Sequence, residues 1–165
     1  MGMLKLLPAQ AKDLPFIVAT YNETIPSHMV TADLTPVTVA QRKAWFAQHN
    51  EQYPLWLLMQ DEQPAGWVSL SQYSDRAAYA DTVEISIYID EHFRQQGLGS
   101  QTIKLVEPLA KQRGLKVIIS RIFGHNPGSL HLFTKMGYEH WGHMPKIALL
   151  AGREADLEVY GKHLD

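Results

Sequence analysis

The sequence predicts an α/β protein in which a mixed sheet is covered by helices on both faces. Three observations carry this. Short segments of alternating or β-branched apolar residues recur along the chain, helical patterns with recognisable caps fall between them, and a turn with two glycines leads from the most regular strand straight into a helix. No internal repeat, low-complexity tract or linker interrupts the 165 residues, so residues 1–165 are expected to form a single domain.

Leu4–Leu7 reads as a short apolar strand. Asp13 is placed to cap a helix with Pro15 in its first turn, where a missing N–H costs little, and Pro26 ends that helix after about Ile25. Ser27–Pro36 is a polar loop. Thr38 and Gln41 form a capping-box pattern for a helix over Val39–His49. Leu55–Gln60 and Gly66–Ser74 are strands about a turn at Asp61–Pro64. Thr82–Ile89 alternates strictly, with Val83, Ile85, Ile87 and Ile89 on one face and Thr82, Glu84, Ser86 and Tyr88 on the other. The turn Arg94–Ser100 opens a helix that reaches Arg113 and stops at Gly114. Val117–Phe123 is an apolar strand. Asn126 and Pro127 start a short helix that Gly137 ends. Tyr138–Lys146 and Glu154–Gly161 are two final strands joined near Gly152.

Composition narrows the function classes. With 45% hydrophobic and 19% charged residues the chain is globular rather than disordered. Its net charge is −2 and no Lys/Arg run exists, which argues against nucleic acid or anionic lipid as main partner. No apolar run approaches the ~20 residues of a membrane helix, and Met1–Leu7 lacks the pattern of a signal peptide. The chain has no cysteine, which removes disulfides, thiolate metal sites and a cysteine nucleophile, and suits a cytoplasmic setting.

The turn Arg94-Gln95-Gln96-Gly97-Leu98-Gly99-Ser100 is the most informative segment. Its glycines let backbone N–H groups converge and an anion come close, and the helix N-terminus adds partial positive charge. Such a turn can hold a diphosphate without a metal, with Arg94 at its rim. A P-loop would need Lys-Ser/Thr after Gly99, and a dinucleotide fingerprint would need a third glycine where Thr102 stands. Arg94–Gly99 resembles the Gln/Arg-x-x-Gly-x-Gly/Ala motif of the GNAT acetyltransferase superfamily. Asn126-Pro127-Gly128-Ser129 with Phe133–Tyr138 resembles that superfamily's second signature.

The resemblance implies a GNAT-like acyl-CoA N-acyltransferase fold, a mixed central sheet splayed at its middle strands. It implies acetyl-CoA as co-substrate, no metal and a homodimer. The backbone amides of Arg94, Gln95, Gln96, Gly97, Leu98, Gly99 and Ser100 would bind the coenzyme diphosphate. The strand end Ile87-Tyr88-Ile89 would bind the pantetheine arm as a borrowed strand, with Asn126 and Ser129 opposite. The Ile87 N–H would face the oxygen that gains charge, and Glu84 would be the general base. Phe133 stands where many members have a tyrosine, which leaves Tyr138, His131, water or no acid at all to protonate the leaving thiolate. Tyr21-Asn22-Glu23, Arg76-Ala77-Ala78-Tyr79 and Glu84–Ile89 resemble the branch that acetylates phosphinothricin, methionine sulfoximine and related amino acids. By that resemblance Glu23, Arg76 and Tyr79 would bind a small amine substrate, with Arg76 able to pair bidentately with a carboxylate or phosphinate.

Other readings compete. The acceptor could be a protein or peptide N-terminus, or the chain could bind acyl-CoA without catalysis; an aminoglycoside acceptor would call for an acidic pocket rather than Arg76. His140 and His143 suggest a metal pair, but their spacing places them on opposite faces of a regular strand. The four tryptophans read as core or interface residues.

Overall fold

The computed structural model describes residues 2–165. Its elements follow the expected order: β1 (Leu4–Pro8), α1 (Leu14–Asn22), α2 (Val39–Ala47), β2 (Leu55–Gln60), β3 (Gln63–Gln72), β4 (Thr82–Ile89), α3 (Leu98–Gln112), β5 (Val117–Phe123), α4 (Pro127–Lys135), β6 (Glu139–Leu150) and β7 (Arg153–His163). Single turns of 3-10 helix at Ala11–Asp13, Ala77–Tyr79 and Glu91–Phe93 are additional. Seven strands form one sheet in the order β1-β2-β3-β4-β5-β7-β6. Only β4 and β5 run parallel, and the crossover between them is α3.

The local signals act as their chemistry requires. Thr38 and Gln41 make both bonds of the capping box. Asn126 accepts from the Ser129 N–H with Pro127 at the first helical position. Asp13 behaves differently from expectation. Its carboxylate accepts from the Gln10 N–H, closing the short 3-10 turn ahead of α1 rather than capping α1 itself. The β2–β3 turn is tighter than expected, with Asp61 and Glu62 both left-handed and β3 beginning at Gln63.

Two apolar layers cover the sheet. On one face Val83, Ile85, Ile118 and Ile122 pack with Leu98, Ile103, Val106 and Ala110 of α3 and Phe133 of α4. On the other, Trp67 packs with Leu14, Ile17, Val18 and Tyr21 of α1 and Trp45 of α2. Tyr88 stacks on Trp67 at 4.6 Å and lies 5.1 Å from Tyr21. Glu84, Ser86 and Tyr88 therefore share the α1–α2 side, as the alternation predicts. Among the described residues no helix is long and apolar enough to cross a membrane.

Gly66 of β3 lies where a side chain would press on the β4 backbone. A Cβ there would sit 2.2 Å from the Tyr88 carbonyl oxygen and 3.0 Å from Ile89 Cα. Gly66→Ala is expected to cost about 3 kcal/mol, because backbone rather than a movable side chain must give way. Thermal denaturation checks this; an unchanged Tm would refute the tight strand contact.

Candidate active site

The site begins where two parallel strands part. β4 and β5 pair only over Thr82–Val117, Val83–Ile118 and Glu84–Ile119, after which the ladder stops. The β3–β4 register shows what this exposes. Asp90 donates to the Ala65 carbonyl and Tyr73 donates to that of Thr82, so the even-numbered residues of β4 exchange hydrogen bonds with β3. The N–H and C=O groups of Ile87 and Ile89 then face the β5 side, and beyond the Glu84–Ile119 pair no strand receives them. The carbonyl of Ile89 accepts from Arg94 Nε at 3.0 Å. The opening is the splay expected at the middle of the sheet.

A cavity of about 530 Å³ occupies this opening. Its walls include Glu84, Ile87, Tyr88 and Ile89 of β4, Gly99 of α3, Arg121 of β5, and Asn126, Ser129 and Phe133 at or within α4. Val30, Thr31 and Ala32 of the loop after α1 close one side. That loop is held firmly. The Tyr21 hydroxyl bonds to Thr31 and Asp33, Arg42 pairs with Asp33 at 3.1 Å, and Asn22 exchanges two bonds with Val37. At the far wall Asn126 Nδ2 donates to the Met29 carbonyl and to Ser129 Oγ. A larger hollow of about 1020 Å³ lies between Ser27–Met29 and the β6–β7 hairpin; of the residues singled out from sequence it holds His140, and none of those expected to bind coenzyme or acceptor.

The turn after β4 has the backbone of an anion cradle. Gln95 and Gly97 are both left-handed, at φ 61° and 75°, and Gly97 caps α3 without a side chain. Gln95, Gln96 and Gly97 are exposed, while Leu98 is buried beneath them and anchors the helix start. A Cβ on Gly99 would meet Leu132 Cδ2 at 2.9 Å, so the first turn of α3 lies close against α4. Arg94 is turned back from the rim. Besides its bond to Ile89, its Nη2 reaches Glu23 Oε1 at 3.4 Å.

Among the described residues, Glu84 is the single acidic side chain on the cavity wall and Arg121 the single basic one. They pair bidentately: Arg121 Nε donates to Glu84 Oε2 and Nη2 to Oε1, both at 2.7 Å. Those bonds raise the pKa of the guanidinium above its usual value, against the effect of burial. Arg121 was not among the residues singled out from sequence. The available signal was an arginine inside an otherwise apolar strand, two positions past Ile119 and so on the same face as Glu84.

The three residues expected at the substrate lie outside the cavity wall. Glu23 closes α1 and accepts from the Glu91 N–H as well as Arg94; burial raises its pKa, with Asp90 and Glu91 adding to the effect. Arg76 and Tyr79 are exposed on the β3–β4 connection. Tyr79 packs edge-on to Tyr73 at 5.5 Å, and Tyr73 in turn lies near the Arg121 guanidinium. The segment thus stands at the Glu84 end of the opening.

Among the candidates for the acid, Tyr138 is buried behind Phe133, its pKa pushed upward by burial and by Glu107, and His131 is exposed; neither lines the cavity. Tyr88 does line it, but burial drives its pKa upward as well. The histidine pair corrects an expectation. An extra residue in β6 between His140 and Gly142 reverses the alternation, so His140 and His143 face the same way and both contact Glu158, at 2.8 and 2.7 Å. His143, Asp156 and Glu158 lie together there, and hydrogen bonding to Glu158 raises the His143 pKa.

Comparison with known proteins gives a consistent answer. The model of the acetyltransferase (GNAT) family matches residues 17–138. YwnH of Bacillus subtilis, named provisionally as a phosphinothricin acetyltransferase, is 43% identical over 158 residues, 94% of this chain and 96% of that protein. An L-methionine sulfoximine/L-methionine sulfone acetyltransferase of Pseudomonas aeruginosa is 32% identical over 95% of this chain and 92% of its own length. The crystal structure of a GNAT phosphinothricin acetyltransferase from Sinorhizobium meliloti in complex with acetyl-CoA superposes with a TM-score of 0.90 at 26% identity, covering 98% of this chain and 88% of that one.

Proposed function

Because the chain belongs to the GNAT family of acetyltransferases, we propose that it transfers the acetyl group of acetyl-CoA to the amine of a small amino acid or analogue of the phosphinothricin, methionine sulfoximine or methionine sulfone type. The observation that carries this reading is the cavity between β4 and β5, with a glycine turn at one end and a lone carboxylate on its wall. A homodimer belongs to the same reading and rests on the family resemblance; the single domain rests on the uninterrupted 165 residues and the cytoplasmic setting on the lack of cysteine.

Acetyl-CoA supplies an acetyl thioester, already activated for attack. The amides of residues 94–100 receive the diphosphate, where left-handed Gln95 and Gly97 orient them. The free groups of Ile87 and the N–H of Ile89 receive the pantetheine amides in the manner of an added strand, with Asn126 and Ser129 opposite. An amine near neutral pH is an ammonium ion with no lone pair to offer. Glu84 takes the proton, and the neutral amine forms the new N–C bond as the C–S bond breaks, the sulfur keeping the electron pair; the second proton, which leaves the nitrogen as it becomes an amide, passes to the departing thiolate or to water. The Ile87 N–H donates to the carbonyl oxygen as it gains charge. With no cysteine in the chain, transfer proceeds directly in a ternary complex. Glu23, Arg76 and Tyr79 serve the acceptor side.

The test is a panel of amines incubated with acetyl-CoA and read by thiol release. Methionine sulfone, methionine sulfoximine, phosphinothricin, unmodified methionine and a short peptide should be compared. Turnover of the amino-acid analogues is expected, and Arg76→Ala should raise KM for the phosphinate and sulfoximine roughly 10-fold or more. Turnover confined to the peptide, or acetyl-CoA binding with no turnover at all, would overturn the reading.

A further inference from the structure

The expected anion reader, Arg76, stands on an exposed connection, whereas the one cationic side chain on the cavity wall is already engaged with the candidate base. We propose that Arg121 reads the α-carboxylate of the acceptor amino acid and, by exchanging partners, frees Glu84 to accept the ammonium proton. This rests on the amino-acid acetyltransferase reading and extends it by assigning the group that distinguishes an amino acid from any other amine.

The geometry supports an exchange rather than a fixed brace. Arg121 binds both oxygens of Glu84 in the fork-to-fork manner that suits a guanidinium and a carboxylate. While it does so, the two oxygens that must capture a proton are both committed to donors. The pair is not sealed in: the Arg121 side chain is 55% exposed and that of Glu84 23%. Only Nε and Nη2 are spent on Glu84, which leaves Nη1 for a second acceptor.

An α-amino acid is the electrostatic complement of this pair. Its ammonium and its carboxylate are attached to one carbon, so the two charges are as close together as the carboxylate and guanidinium they would meet. On binding, the protein's single ion pair opens and two form, ammonium to Glu84 and carboxylate to Arg121. Each charge of the pair exchanges one partner for another. A simple amine or an α-carboxamide offers no anion to Arg121. It must compete with the guanidinium for Glu84 and leave Arg121 without a partner, which makes rejection of the wrong substrate part of the design.

Arg121 also has to be where the exchange is useful. It lies on the same face as Glu84 because Glu84 pairs with Ile119, and Arg121 is the next side chain on that face of β5. Since β4 and β5 part after Glu84, the guanidinium spans the opening at its closed end, opposite in direction to the glycine turn. The acceptor's polar head would be held there, with its amine directed along the cavity.

The experiment compares methionine sulfone with methionine sulfone α-carboxamide in the wild-type enzyme, Arg121→Gln and Arg121→Lys. The wild type should favour the acid in kcat/KM by roughly 100-fold or more. In Arg121→Gln that ratio should collapse to within roughly 10-fold, chiefly through a higher KM for the acid. Arg121→Lys, which keeps the charge but not the fork, should give an intermediate ratio and carries the test if the glutamine variant fails to fold. An Arg121→Gln enzyme that kept the wild-type ratio, or a wild type that used the two substrates equally, would overturn the assignment and leave the acetyltransferase reading standing. A wild type that acetylated peptides but neither methionine compound would overturn both.

Discussion

Replacing Glu84 with glutamine is expected to lower kcat roughly 10²–10⁴-fold, the range in which a positioned general base acts, while acetyl-CoA affinity changes little. The substitution suits the question because it removes proton affinity and little else. Glutamine has the same length and still offers one oxygen to Arg121, which now holds Glu84 through two 2.7 Å bonds. The neighbouring ladder is made by backbone groups, so β4 should keep its place beside Ile119. Steady-state kinetics on a good acceptor, paired with calorimetric titration of acetyl-CoA, separates the two quantities. Wild-type kcat at every pH would remove Glu84 from the mechanism. A variant that lost acetyl-CoA affinity as well would move Glu84 from the acceptor side of the cavity to the coenzyme side.

What could be read from sequence, and what could not, divides along the range of the interactions. The strand Thr82–Ile89 has the expected bounds because its alternation is local. Asn126, Pro127 and Gly137 delimit α4 through bonds to groups a few residues away. The strand β6 runs to Leu150, beyond the expected end at Lys146, because irregular pairing between Met144 and Ala148 carries it past Pro145. The same hairpin defeated the expectation for His140 and His143. A single bulged residue reverses which face a side chain takes, and nothing in the local pattern announces it.

The candidate site divides in the same way. The glycine turn and Glu84 were legible because each belongs to a contiguous motif. The pair between Glu84 and Arg121 was not, since it joins positions 37 residues apart and depends on the parallel register of β4 with β5. The bonds from Tyr21 to Thr31 and Asp33, and from Arg42 to Asp33, were likewise out of reach. Read alone, Ser27–Pro36 was only a polar loop. In the fold it becomes a wall of the cavity because Tyr21 of α1 and Arg42 of α2 both bond to it.

Replacing Gly99 with leucine is expected to weaken acetyl-CoA binding roughly 100-fold while leaving kcat at saturating coenzyme near that of the wild type. The first added atom would lie 2.9 Å from Leu132 Cδ2, the far end of a flexible side chain, so the fold can adjust without moving backbone. The remaining atoms are expected to intrude on the cavity that Gly99 lines, beside the amides that begin α3. Losing two charge-assisted bonds to a diphosphate amounts to about 3 kcal/mol, which is a factor of roughly 100 in affinity. Gly97→Ala is the informative companion. Its Cβ would meet nothing nearer than Gln101 Nε2 at 3.9 Å, so it adds backbone strain at φ 75° without filling the cavity. It should lower stability by about 1 kcal/mol and affect affinity far less than Gly99→Leu. Calorimetry with acetyl-CoA and with free coenzyme A checks the cause: a lost diphosphate contact weakens both equally, because the acetyl end is remote from the turn. Undiminished affinity in a folded Gly99→Leu protein would mean that the amides of residues 94–100 do not cradle the coenzyme. With Glu84→Gln the two variants should then separate binding from chemistry in opposite directions, which neither a misfolded protein nor a non-catalytic binding module could reproduce.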